Sequence, residues 1–416
     1  FIAAVASLLT LLPAGASAQS QPDPALLAAI RAIRAVDNHS HLPTAAAGSP
    51  DDSLKDSLGT TPFSYPVRLR VDNPDWMRSW RALYDEKPGG MSVKAVAEVV
   101  RRKHALMTTR GDGWPEWILD KVGIETALVN MPSLGPGQKS RRFRWVPTAN
   151  SLLFPFGGVE ANPEIGTVRL PATLDDYSRD VIGSTLTRWR GEGAVAIKLS
   201  TAYDRSLDFA DVAAAEASRI YAAQVQTSTA PAAADYKALQ DYLFRVLARE
   251  AGRAGLAVHI HVGIGADPWF AIAGANPLLL EPALNDKTLR STCFVLVHGG
   301  WPFQNQAGVM LIKPNLYADF SAQTFLRSPR ALSETLRAWL EWYPEKVLFG
   351  TDAYSDPNTP ASDWEEMLWL ANDSARQALA IALTGMMNDG QITRARALEL
   401  AKMVLRENAM KLYALD

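Results

Sequence analysis

The chain of 416 residues has one cysteine, Cys293, so it can form no intramolecular disulfide and no thiolate metal cluster. It also lacks a charge excess of either sign: 42 basic residues against 44 acidic ones leave −2. A nucleic-acid-binding surface normally carries a surplus of Lys and Arg, so no such partner is expected. Beyond the first dozen residues, no stretch approaches the roughly 18 uninterrupted apolar residues of a membrane-spanning helix. With 48% hydrophobic and 21% charged residues, the composition is that of an ordinary globular protein and excludes a disordered or fibrous chain. Histidine is scarce too, six in all, yet four of the six stand in two His-x-His pairs.

The N-terminal segment is set aside first. Phe1–Leu12 is almost entirely apolar, Pro13-Ala14-Gly15 breaks the run, and Ala16-Ser17-Ala18 has the small-residue pattern of a signal-peptide cleavage site. Neither an initiator Met nor a basic segment precedes it. A run of twelve residues, ten of them apolar, is too short to cross about 30 Å of hydrocarbon. The expectation is a secretory signal peptide over residues 1–18 and one domain over 19–416, periplasmic or secreted and not membrane-bound after cleavage.

Eight short apolar or β-branched runs follow: Ala35–His39, Thr126–Asn130, Arg144–Pro147, Ala194–Lys198, Ala257–His261, Phe294–His298, Leu316–Phe320 and Val347–Asp352. Near-continuous apolar strands are the mark of a parallel sheet covered on both faces. Amphipathic stretches such as Tyr236–Ala254 and Ala331–Trp342 lie between them. Strand–helix alternation repeated eight times predicts an α/β fold, a (β/α)8 TIM barrel. About eighty residues separate the first two strands, which predicts a long helical and loop insertion over the barrel mouth.

The chemistry gathers at strand ends. His39-Ser40-His41 closes the first run, His259-Ile260-His261 the fifth, His298 the sixth and Asp352 the eighth. Strand residues two apart share a face, so each His pair can aim at one point. The C-terminal strand ends of such a barrel surround a single cavity, the usual place of its active site. Imidazole nitrogen and carboxylate oxygen suit a borderline divalent ion such as Zn²⁺. Isolated buried histidines are ordinary core residues, but five of them with one Asp on four strands predict a metal site.

These residues carry a resemblance. Val36-Asp37-Asn38-His39-Ser40-His41, His261-Val262-Gly263, His298-Gly299-Gly300 and Gly350-Thr351-Asp352 resemble, in order, the strand signatures of the amidohydrolase superfamily. The similarity is to its amidohydrolase-related (amidohydrolase 2) branch, which also contains metal-dependent decarboxylases. Lys198, Tyr203 and Asn276–Leu280 resemble positions of the amidohydrolase-like part of fungal proteins fused to a glutamine synthetase domain. The resemblance implies that His39, His41, His261 and Asp352 surround the metal, with His298 as a further ligand or an acid/base. It implies one or two divalent ions, Zn²⁺ ahead of Mn²⁺.

A divalent ion can lower the pKa of bound water from about 15.7 to about 7. Asp352 would accept the water's proton and pass it on, while His298 polarises a carbonyl or positions the water. Lys198 is open between a carboxylated, metal-bridging form and an ammonium that binds substrate. Tyr203 and Arg205 are expected to reach the substrate pocket, and His259 is expected to bind substrate as a wall of that pocket or to stand behind the ligands. A small organic molecule with an amide, ester or lactone-type bond is the expected substrate. Two alternatives stand beside hydrolysis: a decarboxylase of the same branch, and a non-catalytic ligand-binding barrel. A homo-oligomer is compatible with all three. Bland readings are preferred for Lys139–Arg144 (a solvated loop), His104 (a helix surface) and Cys293 (buried and inert).

Overall fold

The computed structural model describes residues 21–42, 66–70, 72–87, 89–132, 140–157, 169–226, 231–266, 268–355 and 363–415. The expected signal segment, Lys139 and the first part of the insertion fall outside the described residues. Eight parallel strands are present among them: β1 (Ala35–Ser40), β2 (Ile124–Met131), β3 (Phe143–Pro147), β4 (Ala196–Leu199), β5 (Ala257–His261), β6 (Phe294–Val297), β7 (Leu316–Asp319) and β8 (Val347–Leu348). Their ladders run in sequence order as two parallel groups, β1–β3 and β4–β8.

Backbone hydrogen bonds join the groups at both seams. Between β3 and β4, Val195 N–H donates to Trp145 O (3.1 Å) and Ala149 N–H to Lys198 O (2.8 Å). Between β8 and β1, Asn38 N–H donates to Phe349 O (2.8 Å), Asp352 N–H to His39 O (2.7 Å) and His41 N–H to Ala353 O (2.9 Å). The fold is thus an α/β barrel of the TIM type.

Two cores follow from this closure. A larger one lies between strands and outer helices. A smaller one holds Val36, Leu128, Val146, Ala196, Ala257, Val295, Val297 and Leu348, with Ala409 and Tyr413 from the chain's last helix. Because every strand contributes at most a few inward residues, the barrel interior is filled rather than hollow. The last helix, Asn408–Tyr413, follows a π-helical stretch at Met403–Glu407. There Val404 O accepts the N–H of Phe349 (3.1 Å), which pins the C-terminal segment beneath β8.

The insertion after β1 contains helices at Pro74–Tyr84 and Val93–Arg110, then Trp114–Val122 leads into β2. His104 is exposed, as expected, but Lys103 beside it is buried. Its ammonium meets Asp363 (3.3 Å), Glu365 (2.5 Å) and Glu366 (3.2 Å). Trp114 Nε1 donates to Glu365 (2.6 Å) and the Tyr84 hydroxyl to Glu366 (2.6 Å). These contacts tie the insertion to the start of the long helix Trp364–Asn388, just after β8. Among the described residues no helix is long and apolar enough to cross a membrane.

Candidate metal centre

The strand ends are irregular where the chemistry sits. The β1–β2 ladder breaks between Asp37 and Ser40. A local slip of this kind re-aims side chains: Asn38 contacts the barrel-interior Tyr413, and its neighbour His39 also reaches an inward residue, Lys198. His298 and Asp352 were expected within strands, but both lie just beyond them. They adopt left-handed backbone conformations, φ 69° and 59°. Such conformations cost about 1–3 kcal/mol each unless surrounding bonds enforce them. For His298 the enforcement comes from Asp319 Oδ1, which accepts its N–H (2.9 Å), and Gln323 Nε2, which donates to its carbonyl (2.9 Å). For Asp352 it comes from the seam bond to His39 O.

Glycine is required beside them. A Cβ at Gly299 would stand 2.4 Å from the Trp339 ring, and one at Gly263 would stand 2.4 Å from Trp301 O. The turns after His261 and His298 therefore pack backbone against neighbours with no room for a side chain.

The expected ligands converge. Asp352 Oδ1 lies 3.1 Å from His39 Nε2 and 3.2 Å from His41 Nε2, and Oδ2 lies 3.7 Å from His298 Nδ1. His39, His298 and Asp352 each place one donor atom within 4.8 Å of the others. The His261 ring centroid is 4.6 Å from that of His298, so β5 joins the same cluster. Lys198 Nζ sits 3.3 Å from His39 Nε2. Asp352 keeps 17% of its side chain exposed, against 2% for His39 and 5% for His298. The carboxylate is thus the member of the cluster most open to an incoming molecule.

Electrostatics favour neutral imidazoles and an ionised carboxylate. Burial, aided by Lys198, pushes His39 and His261 down to about 3. Burial also drives His298 well below its ordinary range. Burial alone would raise Asp352, but His298 and hydrogen bonds from His39 and His41 hold it well below the usual carboxylate range.

This donor set fits a divalent cation. Atoms bound tetrahedrally at about 2.0–2.2 Å to one ion lie about 3.3–3.6 Å apart, and the Asp352 contacts to His39 (3.1 Å) and His41 (3.2 Å) come just short of that spacing. Neutral imidazole nitrogens are what such an ion requires. Two rings are also oriented from behind. His261 Nε2 donates to Ile264 O (3.1 Å), which leaves Nδ1 as its lone-pair nitrogen. His298 Nδ1 meets Ser321 Oγ at 2.9 Å.

The sequence-predicted pocket residues part ways. Tyr203 packs its ring on His261, centroids 4.7 Å apart, and its hydroxyl accepts Ala266 N–H (3.2 Å), so it borders the cluster. Arg205 does not. Its guanidinium pairs with Asp241 (2.7 Å), donates to Gln240 (3.2 Å) and lies over the Phe209 ring; the expectation of substrate contact is corrected. His259 is fully buried and bonded to the Tyr413 hydroxyl (2.7 Å), so of its two expected places it takes the one behind the ligands and not the pocket wall. Arg142 turns to the start of β2, donating to Glu125 O and Ile124 O, at the barrel end opposite the cluster. Cys293 is half-buried, and burial raises its thiol, in keeping with an inert side chain.

Sequence reasoning missed the supports. Asp37 accepts from Thr351 N–H (2.8 Å) and Thr351 Oγ (2.5 Å), clasping β1 to the residue before Asp352. Burial raises the Asp37 carboxyl to about 8. Asp319 and Ser321, a polar pair at the end of an apolar strand, were the available signal for the support behind His298.

The sequence profile described as amidohydrolase matches residues 172–415, more than half of the chain. The chain belongs to the amidohydrolase family. A curated relative, protein fluG of Emericella nidulans, is 28% identical over 187 residues; the match covers 43% of this amidohydrolase and 20% of that protein. It therefore spans about a fifth of the relative's length.

Among solved structures, one assigned as a metal-dependent hydrolase from Lactobacillus casei is 18% identical, with a TM-score of 0.65 over 94% of this chain and 97% of that one. Uronate isomerase of Thermotoga maritima is 13% identical, with a TM-score of 0.65 over 94% and 96%. At these identities the two structures establish the barrel fold alone, and they carry no argument about which reaction it performs.

Proposed function

We propose that this amidohydrolase is a metal-dependent hydrolase acting on an amide, ester or lactone-type bond of a small organic substrate. The observation that carries the reading is the Asp352 carboxylate, held ionised with one oxygen 3.1 and 3.2 Å from imidazole nitrogens of His39 and His41. His39, His41, His261, His298 and Asp352 would hold the cation, Zn²⁺ by the chemistry of the donors. When bound, such an ion acidifies water and polarises a carbonyl.

The chain's own residues do the rest. Asp352, ionised and the most exposed of the set, accepts a proton from the attacking water and returns it to the leaving group. His298, with Nδ1 turned to Ser321 (2.9 Å), keeps Nε2 as its lone-pair nitrogen and orients the water. Tyr203 forms a wall against His261. Lys198, 3.3 Å from His39, would add a ligand to the centre if carboxylated by CO₂, or as an ammonium would take an anionic group of the substrate.

The second use of Lys198 supports a second reading, a decarboxylase in which the ammonium holds the substrate carboxylate. Export to the periplasm or medium, with residues 1–18 as signal and 19–416 as one domain, belongs to the same proposal. So does a small-molecule partner in place of nucleic acid or membrane.

The test begins with metal analysis of protein purified without added metal, beside a His39→Asn/His41→Asn variant. About one or two divalent ions per chain, lost in the variant, are expected. No metal in the wild type even after incubation with Zn²⁺ or Mn²⁺ would overturn the metal-dependent reading. A panel of amides, esters and lactones in ¹⁸O-water then separates the reactions. Label in the product supports hydrolysis, whereas CO₂ release from carboxylated substrates without label supports the lyase.

A further inference from the structure

Tyr413, three residues from the end of the chain, is buried in the barrel interior. Its hydroxyl begins a chain of hydrogen bonds that ends at the candidate metal centre, and the direction of each bond is forced. Asp319 accepts from the N–H of His298 (2.9 Å), the N–H of Ser321 (3.0 Å), the Ser321 hydroxyl (2.6 Å) and Asn38 Nδ2 (2.7 Å). Asn38 gives its amide N–H to that carboxylate, so its Oδ1 must face Tyr413 and accept the phenolic proton. With that proton committed, the phenol oxygen accepts from His259 Nε2 at 2.7 Å. Among the described residues the buried Nδ1 of His259 has no hydrogen-bond partner, which agrees with a neutral Nε2–H ring. At the other end, Ser321 has given its proton to Asp319, so its oxygen accepts Nδ1–H from His298 at 2.9 Å. A hydroxyl has one proton and an amide has distinct ends, so with Asp319 ionised the Tyr413–Asn38 and Ser321–His298 links each run in one direction.

We propose that Tyr413 is a positioning residue for His298. Its hydroxyl fixes the Asn38 amide, which with Asp319 and Ser321 holds His298 as the Nδ1–H tautomer and leaves Nε2 as its lone-pair nitrogen. A ring nitrogen's role is commonly set by what its opposite nitrogen binds. Here that control extends from the last helix through β1 and β7 to the turn after β6. Without the phenol, Asn38 loses the partner that distinguishes its two amide orientations, and one of them turns an oxygen toward the Asp319 carboxylate. The inference rests on His298 being a site residue.

The test uses full-length, metal-free protein labelled with ¹⁵N-histidine, whose long-range ¹H–¹⁵N correlations report tautomers directly. In the wild type His298 is expected as Nδ1–H and His259 as Nε2–H. In Tyr413→Phe the His298 signal is expected to shift to a tautomer mixture, with Zn²⁺ affinity reduced about tenfold, the lower end of effects for groups behind a metal ligand. Ser321→Ala should give the same tautomer loss by cutting the last link.

A lower melting temperature in Tyr413→Phe with an unchanged His298 tautomer and unchanged Zn²⁺ affinity would make Tyr413 merely structural and overturn the proposal. So would an Nε2–H His298 in the wild type. If Tyr413→Phe does not fold, Asn38→Ser interrupts the same chain at its middle, and an unchanged His298 tautomer there overturns it equally. If the wild type binds no Zn²⁺, the metal reading fails, while the tautomer signals still decide the role of Tyr413.

Discussion

Two buried clusters of ionisable side chains flank Trp364, and they follow opposite rules. On one side Lys103 faces Asp363, Glu365 and Glu366, with Trp114 and Tyr84 donating to the two glutamates. Here charge meets opposite charge directly. Burial works against the Lys103 ammonium, but Glu366 and Glu365 outweigh it and raise its pKa. On the other side His39, His41, His298 and Asp352 bring nitrogen and oxygen donors together, with the Lys198 ammonium 3.3 Å from His39. Trp364 joins the two: its backbone N–H donates to Asp363 (2.9 Å) and its indole N–H to His41 O (2.8 Å). Burial of charged groups therefore marks neither structure nor function by itself. What separates the clusters is whether donors and acceptors already match.

The largest way to break the comparison is Asp352→Asn, which removes the carboxylate both His39 and His41 approach. Metal analysis is expected to show loss of at least most of the bound ion, with Lys103 and its partners unaffected. Next comes Lys103→Met, which leaves buried carboxylates uncompensated. Breaking such a pair typically costs about 3–5 kcal/mol, so chemical denaturation should show a large stability loss while metal stoichiometry per folded chain is retained. A Lys103→Met protein as stable as the wild type would remove the distinction drawn here.

Trp364→Phe tests the link itself. It deletes one buried hydrogen bond to His41 and part of a fully buried ring, an expected loss of about 1–2 kcal/mol read by the same melts. The smallest effect is pH-dependent. Burial pushes Glu366 up from 4.5 to about 7 against the pull of Lys103. Between those values the folded state holds more proton than the unfolded one, so this group's contribution to stability falls as pH rises. Glu366→Gln removes that titration. Its stability relative to the wild type should rise from pH 5 to pH 8, and an unchanged difference would place Glu366 outside this account.

Much of the barrel was legible because its strands are short apolar runs and its site residues end them. The residues that set the site's details were less so. Lys103 is hidden in a helix whose buried face, among Val93–Arg110, is only Val99 and Lys103; a stripe that narrow carries little periodic signal. Arg205 sits in the right loop, but no local pattern says that its guanidinium turns to Asp241. His259 shares a strand face with His261, as alternation requires, yet its partner Tyr413 is 154 residues away. Asp37 and Thr351 are likewise 314 residues apart. Local rules place a side chain on a face; which distant group meets it depends on closure of the whole ring.

That closure has a consequence for assembly. The seam between β8 and β1 is made by bonds to Asn38, His39 and His41, and the same seam brings Asp352 to both imidazoles. Completing the fold and completing the site are consequently one event, and it requires the two far ends of the domain to meet. A fragment limited to residues 172–415 would retain β4–β8 with Lys198, His261, His298 and Asp352. It would have neither the last pairing of the ring nor the histidines of β1. Ion binding and late chain closure should accordingly reinforce each other, so that half-built molecules carry no competent centre.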